Sequence, residues 1–272
     1  MTTSLTDTRK SRVIVVKTGE TYPQIRERSG DFESWFVRGL SSALELSVVN
    51  VVAGESPGEP TDWDGIVIPG SPAMVSRRDP WSERTAQWLA TAVAAKVPVL
   101  GVCYGHQLLA HAFSGTVDYH PEGRESGTHT VTLTESAASD ALFGTMPSQF
   151  SAQLTHKQSV LSLPPQALLL GASDFEPDHA FRIGEYAWGV QFHPEFTDEV
   201  MRSYLAVQAL DIESEGGDAA ALKSGFGACA GEDIAFTHSA QGILIAAPSV
   251  RPLDFATVLS RAASCRVVVT VE

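Results

Sequence analysis

Short runs of β-branched and aliphatic residues alternate with stretches of helical periodicity over the first part of the chain. Residues 12–17 (RVIVVK) form the first such run, and residues 46–52 and 65–68 form the next two. Alternation of this kind is typical of repeated β-α units around a mostly parallel sheet with helices on its faces. The sequence therefore predicts an α/β protein.

The stretches between these runs have the period of helices. In residues 31–44, four apolar side chains recur at i, i+3, i+4 and i+8, namely Phe32, Trp35, Phe36 and Leu40. Residues 81–95 have a similar apolar stripe and are followed by the continuous apolar run 97–102 (VPVLGV). A run without alternation is typical of a strand buried on both faces. We therefore expect residues 97–102 at the centre of the sheet.

Beyond residue 113 the pattern changes to shorter strands, predicted over residues 128–134, 151–154, 167–171, 180–183 and 187–192. A helix is predicted over residues 197–210, with Thr197 as its N-cap. From residue 213 small residues dominate, as in a linker, and two further apolar runs follow (GILIAA and CRVVVTVE). We expect a polar leader over residues 1–11, one domain over 12–212, and a linker with a C-terminal extension over 213–272.

Composition excludes several function classes. Lys and Arg number 19 against 32 Asp and Glu, which gives a formal net charge of -13. Nucleic-acid backbones are bound by clustered cations, so we expect no nucleic-acid partner. No apolar run approaches the roughly 20 residues that cross a bilayer, and the polar start lacks the apolar stretch of a secretory signal. We expect a cytoplasmic protein without a membrane partner.

The three cysteines are Cys103, Cys229 and Cys265. Their odd number and wide spacing match neither a disulfide framework nor a CxxC metal site, and the histidines include no HExxH pattern. The sequence therefore predicts no metal site and no cofactor. Cys229 and Cys265 have no distinctive context, and we interpret them as small hydrophobic residues.

Cys103 lies between the apolar run 97–102 and a helical segment, in the frame Gly101-Val102-Cys103-Tyr104-Gly105. This frame is the cysteine counterpart of the G-x-S-x-G nucleophile elbow, in which glycines remove Cβ atoms that would clash at a strained strand-to-helix turn. A helix N-terminus also stabilises a thiolate, the nucleophilic form of cysteine. Cys103 is thus the candidate nucleophile, and a buried hydrophobic role is the alternative.

A base for this thiol is present in residues 188–196 (WGVQFHPEF). His193 and Glu195 alternate on an extended segment and so project to the same side, and Pro194 ends the strand. A carboxylate beside an imidazole orients the ring and stabilises its protonated form. We predict that His193 is the base and that Glu195 orients it, the alternative for His193 being an ordinary polar residue at a strand end.

Acyl transfer also needs donors for the oxyanion that develops on the carbonyl oxygen. The backbone N–H of Tyr104, directly after the candidate nucleophile, is one candidate donor. The turn Pro69-Gly70-Ser71-Pro72 follows the run 65–68, and its Gly70 permits close backbone approach. We predict Gly70 as the second donor, with a purely structural turn as the alternative.

Taken together, four segments give the sequence a resemblance to the class I (triad) glutamine amidotransferases, particularly to stand-alone proteins similar to the glutaminase domain of GMP synthase. The segments are IVIPGSPAMV, DPW, VPVLGVCYGHQLLA and WGVQFHPEF, and the resemblance covers about residues 12–210. It implies a flavodoxin-like fold with a mostly parallel central sheet flanked by helices. The turn at Gly70 reads Pro-Gly-Ser-Pro where GMP synthase has Gly-Gly-Pro, which favours the stand-alone group.

The resemblance implies a reaction for these residues. Cys103 attacks the side-chain amide of glutamine to form a γ-glutamyl thioester, and ammonia is released after His193 protonates the leaving nitrogen. His193 then activates the water that hydrolyses the thioester, while Glu195 orients its ring. Gly70 and Tyr104 donate to the oxyanion.

Two further positions follow from the resemblance. Gln107, one helical turn after Cys103, matches a family position that helps to hold the substrate. His156, in the segment LTHKQSV, matches a turn that contacts the backbone groups of glutamine. As bare residues, Gln107 is alternatively an ordinary polar helix residue and His156 a loop cap.

The predicted function is that of a glutaminase-type amidotransferase acting on glutamine or a γ-glutamyl compound. The sequence has no P-loop GxxxxGK[ST], so we expect any acceptor of the ammonia to be a separate synthetase in trans. Two alternatives stay open. One is a γ-glutamyl peptidase with the same triad, and the other is a catalytically silent regulatory or binding subunit on the same fold.

Overall fold

The structure is a computed structural model that describes residues 10–40 and 44–224, together with the backbones of strands 235–239 and 242–246. The strands of this part of the chain are β1 (Arg12–Lys17), β2 (Glu45–Asn50), β3 (Gly65–Ile68), β4 (Val99–Val102), β5 (Thr116–Tyr119), β6 (Glu125–Leu133), β7 (Gln149–His156), β8 (Gln158–Ser162), β9 (Ala167–Ala172), β10 (Ala180–Ile183), β11 (Ala187–Val190), β12 (Ala235–Ser239) and β13 (Gly242–Ala246). The helices are α1 (Pro23–Ser29), α2 (Phe32–Gly39), α3 (Pro80–Ala94), α4 (Tyr104–Ala112), α5 (Asp198–Val207), α6 (Ala209–Ser214) and α7 (Ala219–Ser224).

Nine strands form the main sheet, in the order β2-β1-β3-β4-β11-β10-β9-β6-β7. The strands from β2 to β11 in this order are parallel to their neighbours, and β10, β9, β6 and β7 extend the sheet on one side as antiparallel strands. The chain order of the parallel strands is that of flavodoxin-like folds. The predicted α/β fold, with a parallel central sheet flanked by helices, is confirmed.

Several strands of the main sheet lie where their apolar patterns predict. Strands β1, β3 and β10 have the predicted bounds, and β4 is the predicted central strand, with all four of its residues buried between β3 and β11. Side chains of β1 alternate between the two faces of the sheet. Val13 and Val15 join the apolar cluster that includes Phe36 of α2, whereas Ile14 and Val16 join the cluster of α3 and α4.

Several elements differ from the prediction. The helix predicted over 31–44 ends at Gly39, because Leu40 has extended backbone angles; residues 41–43 lie outside the described part. The helix predicted over 197–210 is divided into α5 and α6 at Gln208. Helix α1 and strands β5 and β8, which pair in a small separate sheet, were not predicted.

The region after residue 212 contains more structure than a linker. Helix α6 crosses the predicted boundary at 212/213, and α7 packs against α5, α6 and β6 within an apolar cluster that also holds α1 and α2. The run GILIAA contains β13, which pairs with β12. The predicted strand CRVVVTVE lies outside the described residues, as do Cys229 and Cys265. Among the helices that are described, none has the length and apolar character to cross a membrane.

Candidate active site

The candidate residues follow three neighbouring parallel strands. Gly70 comes after β3, Cys103 directly after β4, and His193 shortly after β11. These strands are adjacent in the order β3-β4-β11 and run in the same direction, so their carboxyl ends meet at one edge of the sheet. Open α/β sheets bind their ligands at this edge.

Cys103 has a strained backbone at the junction of β4 and α4. Its φ of 51° and ψ of -100° lie outside the regions that residues other than glycine normally occupy. The conformation is held by hydrogen bonds on both sides: its N–H donates to the carbonyl of Val190 at 2.8 Å, and its own carbonyl accepts from the N–H of Gln107 at 3.1 Å. Such strain is often found at functional sites, where the surrounding structure compensates for it.

The glycines on both sides of this turn are required by close packing. A Cβ on Gly101 would lie 2.3 Å from the carbonyl oxygen of Gly105, and one on Gly105 would lie 2.2 Å from that of Ile68. Neither backbone atom can move without displacing α4 or β3. The glycine frame therefore allows α4 to begin directly against the ends of two strands.

His193 and Glu195 form a buried pair. Nδ1 of His193 lies 2.8 Å from Oε1 of Glu195, and their side chains are 2% and 0% exposed. This contact leaves Nε2 on the other side of the ring, where it forms no well-aligned hydrogen bond with any residue that the structure describes. Cys103 nevertheless raises the pKa of this ring. Hydrogen bonds between such groups are often loosely aligned before a substrate binds.

The charge state of His193 is set by opposing effects. Burial lowers its pKa, but the negative charges of Glu195 and Cys103 outweigh burial and raise the pKa to about 10. An imidazole with this pKa is protonated at neutral pH. The imidazolium therefore lies between Glu195 and Cys103, the two groups that raise its pKa.

Aromatic rings and the turn after β3 enclose His193. The ring of Phe196 stacks on the imidazole with 4.0 Å between centroids, and the ring of Phe32 lies 6.3 Å from it at an interplanar angle of 21°. A Cβ on Gly70 would lie 2.8 Å from Cε1 of His193, so only glycine fits there. The backbone that the sequence predicts as an oxyanion donor thus lies directly beside the imidazole.

The backbone N–H and the side chain of Tyr104 have different surroundings. It is the first residue of α4, and the first N–H groups of a helix have no acceptor within the helix. Its phenol is buried against α3, where the hydroxyl lies 2.6 Å from Oγ of Ser82 and the ring stacks on Trp81. The side chain of Tyr104 therefore packs α4 against α3, while its N–H lies next to Cys103.

Gln107 and His156 both line the cavity, but protein partners already hold their polar atoms. Nε2 of Gln107 donates to the carbonyl of Gln158 at 2.6 Å and to Oε1 of Gln191 at 3.0 Å. Nε2 of His156 lies 2.8 Å from Oε2 of Glu125, and its Nδ1 lies 3.1 Å from the carbonyl of Gln158. Both residues therefore help to shape the cavity wall, and their predicted contact with substrate stays a prediction.

A cavity of about 510 Å³ lies over Cys103. The segment after β1 forms one side of it, and the candidate residues that line it are Cys103, Tyr104, Gln107, His156 and His193. Glu195 does not line the cavity, because it lies behind the imidazole. Among the described residues, no group of three His, Cys, Asp or Glu side chains is placed to hold a metal ion.

The sequence matches a family whose solved members share this fold. A model of the glutamine amidotransferase class-I family matches residues 31–211. The chain belongs to this family. Its fold agrees with that of a glutamine amidotransferase from Thermotoga maritima, with a TM-score of 0.64 at 20% identity over 80% of this chain and 91% of that one. A glutamine amidotransferase from Methylobacillus flagellatus gives a TM-score of 0.59 at 23% identity, covering 73% and 75% of the two chains.

Two kinds of curated relatives resemble this class I glutamine amidotransferase. GMP synthase [glutamine-hydrolyzing] of Porphyromonas gingivalis is 34% identical over 177 residues, which are 65% of this chain and 33% of the relative. Gamma-glutamyl peptidase 5 of Arabidopsis thaliana is 30% identical over 182 residues, which are 65% of this chain and 72% of the relative. The amidotransferase chain thus spans about a third of the length of the GMP synthase that it matches.

The amidotransferase site contains residues that sequence reasoning missed. Arg124 and Lys157 line the cavity, and the carboxylate of Glu125 contacts Nε2 of His156. Arg124 and Glu125 are adjacent in the sequence, but no local pattern there indicates a site. Their place in the cavity depends on the antiparallel strands β6 and β7, which bring both residues to the same cavity as Cys103.

Proposed function

We propose that this class I glutamine amidotransferase hydrolyses the side-chain amide of glutamine with a triad of Cys103, His193 and Glu195. The observation that carries the proposal is the buried His193–Glu195 pair beside a cysteine held in a strained turn at a helix N-terminus. This arrangement supports the roles of Cys103 as nucleophile, His193 as base and Glu195 as the group that orients the base.

In the first half-reaction, the thiolate of Cys103 attacks the carboxamide carbon, and a carbon–sulfur bond forms. The negative charge on the amide oxygen is stabilised by the N–H groups of Tyr104 and Gly70. The tetrahedral intermediate collapses, the carbon–nitrogen bond breaks, and the nitrogen takes the proton from Nε2 of His193. Ammonia leaves and a γ-glutamyl thioester remains on the enzyme.

In the second half-reaction, the neutral imidazole of His193 takes a proton from water. The resulting hydroxide attacks the thioester carbon, and the carbon–sulfur bond breaks to release glutamate and the Cys103 thiolate. Glu195 keeps Nδ1 protonated throughout, so that Nε2 is the nitrogen that exchanges protons. We further propose that a separate synthetase accepts the ammonia, by analogy with the GMP synthase relatives.

A second candidate is hydrolysis of γ-glutamyl peptides by the same triad. The match to gamma-glutamyl peptidase 5 extends over 72% of that protein, against 33% for the GMP synthase. The chemistry differs only in the leaving group, which is an amino acid instead of ammonia. Because both substrates share the γ-glutamyl acyl group, the triad serves either reaction.

The test compares wild type with Cys103→Ala on glutamine and on γ-glutamyl dipeptides, with Cys229→Ala as the matched control. We expect Cys103→Ala to lose more than about 1000-fold in rate on every substrate, and Cys229→Ala to keep the wild-type rate. The ratio of the two wild-type activities assigns the substrate. Undiminished hydrolysis by Cys103→Ala would refute the triad. If wild type formed no adduct with a glutamine-like diazo-ketone, the result would favour the catalytically silent subunit instead.

A further inference from the structure

Two cations lie on the wall between the active-site cavity and a neighbouring cavity of about 780 Å³. Arg124 and Lys157 line both cavities, although no step of the proposed reaction uses them. The side chain of Arg124 is 7% exposed and that of Lys157 is 36% exposed. A largely buried guanidinium needs an anionic partner, since burial of an unpaired charge is costly.

That partner is a carboxylate from the C-terminal helices. Nε and Nη2 of Arg124 donate to the two oxygens of Glu215 at 2.8 and 3.3 Å, and Nζ of Lys157 donates to Oε1 of Glu215 at 2.7 Å. The two-pronged contact is the geometry in which arginine recognises carboxylates. The pKa of Glu215 is lowered to about 2, chiefly by its hydrogen bond from Arg124.

Glu215 is placed so that it can be displaced. It follows the last residue of α6, its side chain is 37% exposed, and the next residue is Gly216 with a φ of 89°. Exchange of one carboxylate for another leaves the buried guanidinium of Arg124 with an anionic partner, so it costs the fold little. Asp211, the other acid near Arg124, lies 3.8 Å away and is 63% exposed, so it competes weakly.

We propose that Arg124 and Lys157 form a carboxylate subsite of the active site, which Glu215 occupies in the free protein and which a carboxylate of the γ-glutamyl substrate takes over. The inference rests on the proposed function. The carboxylate has two possible sources with the same chemistry: the α-carboxylate of the glutamyl group, or a free carboxylate on the leaving amine of a γ-glutamyl peptide.

Kinetics with two matched substrate pairs test this subsite. The first pair is γ-glutamyl p-nitroanilide and its α-carboxamide, and the second is γ-glutamylglycine and γ-glutamylglycinamide. We expect wild type to have a KM about 10- to 100-fold lower for the acid member of one pair, as for loss of a charge-assisted hydrogen bond. A preference in the first pair identifies the glutamyl carboxylate, and one in the second identifies the leaving group.

Variants connect the preference to the two cations. Arg124→Gln and Lys157→Gln are expected to lose the preference, because KM rises for the acid members. Glu215→Gln is expected to lower KM for the acid members several-fold, because it removes the competing carboxylate. Arg28→Gln is the matched control, since Arg28 pairs with Glu199 on an exposed surface and lines neither cavity.

Binding separates this inference from the proposed chemistry. Calorimetric titration of γ-glutamylglycine into Cys103→Ala is expected to show binding that Cys103→Ala/Arg124→Gln and Cys103→Ala/Lys157→Gln both weaken. If wild type hydrolyses γ-glutamyl p-nitroanilide but neither pair shows an acid preference, the subsite is refuted while the triad stands. If no substrate is hydrolysed, the proposed triad is refuted. Equal binding of γ-glutamylglycine by Cys103→Ala and the two double variants would refute the subsite as well.

Discussion

At the residue scale, His193 interacts with two negative groups that come from different parts of the chain. Glu195 lies two residues away in sequence, whereas Cys103 comes from the turn after β4. Cys103→Ala removes only the second charge, so we expect it to lower the pKa of His193 while the contact with Glu195 remains. NMR titration of the His193 ring in both proteins measures this. Equal pKa values would show that Cys103 does not contribute to the raised pKa of His193.

The pKa of His193 also predicts how stability depends on pH. A folded-state pKa of about 10 lies above the ordinary histidine value of 6.5, so protonated His193 stabilises the fold fully below pH 6.5. This contribution is lost as the pH rises towards 10. We expect the stability difference between wild type and His193→Gln to shrink by on the order of 2 kcal/mol over this range. Urea unfolding at several pH values measures it, and a constant difference would contradict it.

The sequence allows some site residues to be predicted and not others. Cys103, His193 and Gly70 each follow an apolar strand, and parallel strands bring their carboxyl ends to one edge. Arg124 and Lys157 lie instead next to β6 and β7, the antiparallel strands at one end of the strand order. Their position therefore depends on that order. Apolar periodicity does not encode that order.

At the element scale, the junction of β4 and α4 depends on the absence of a side chain at Gly105. Gly105→Ala places a Cβ 2.2 Å from a backbone oxygen of β3, and α4 must shift to accommodate it. We expect a loss of about 3 kcal/mol or more in free energy of unfolding, as for severe overpacking. Gly54→Ala is the control, because no atom lies within 4 Å there and only its φ of 85° is unfavourable.

Urea unfolding compares the two variants, and we expect the control to lose only about 1 kcal/mol. A Gly105→Ala protein as stable as Gly54→Ala would show that α4 does not need to approach β3 so closely.

Element prediction succeeded where burial makes a pattern continuous. Strands β1, β3 and β10 have the predicted bounds because apolar residues fill them and turn residues end them. Strand β5 has no fully buried residue, so its sequence carries no clear alternation. The small residues of α7 look like a linker, and the helix is instead stabilised by packing against α5 and α6.

At the scale of the whole molecule, the cavity joins residues from widely separated elements. Its walls come from the segment after β1, the turn after β3, helix α4 and strand β7. A diazo-ketone alkylates the thiol and leaves a glutamine-like group attached to Cys103 through a thioether. We expect this group to stabilise the folded state, because only the folded protein provides these walls. We expect the diazo-ketone adduct to raise the melting temperature by about 2–6 °C. Calorimetry of treated and untreated wild type measures this, and Cys103→Ala should show no change.

The parallel half of the sheet follows from the alternation of strands and helices in the sequence. The antiparallel half does not, since β6 and β7 pair with each other and β6 joins β9 across a long stretch of chain. The sequence pattern of a short strand does not indicate which other strand it pairs with. The resemblance to a family implied the flavodoxin-like central sheet, and the order of the antiparallel strands was not predicted.

The backbone angles of Cys103 have a consequence for the protein during synthesis and turnover. An isolated chain has no reason to hold a cysteine at φ 51° and ψ -100°, because only docking of α4 against β4 and β11 imposes them. In the proposed function the imidazole and the helix end activate the sulfur, and they are likewise assembled only then. A nascent or damaged copy therefore lacks the arrangement on which the proposed reaction depends.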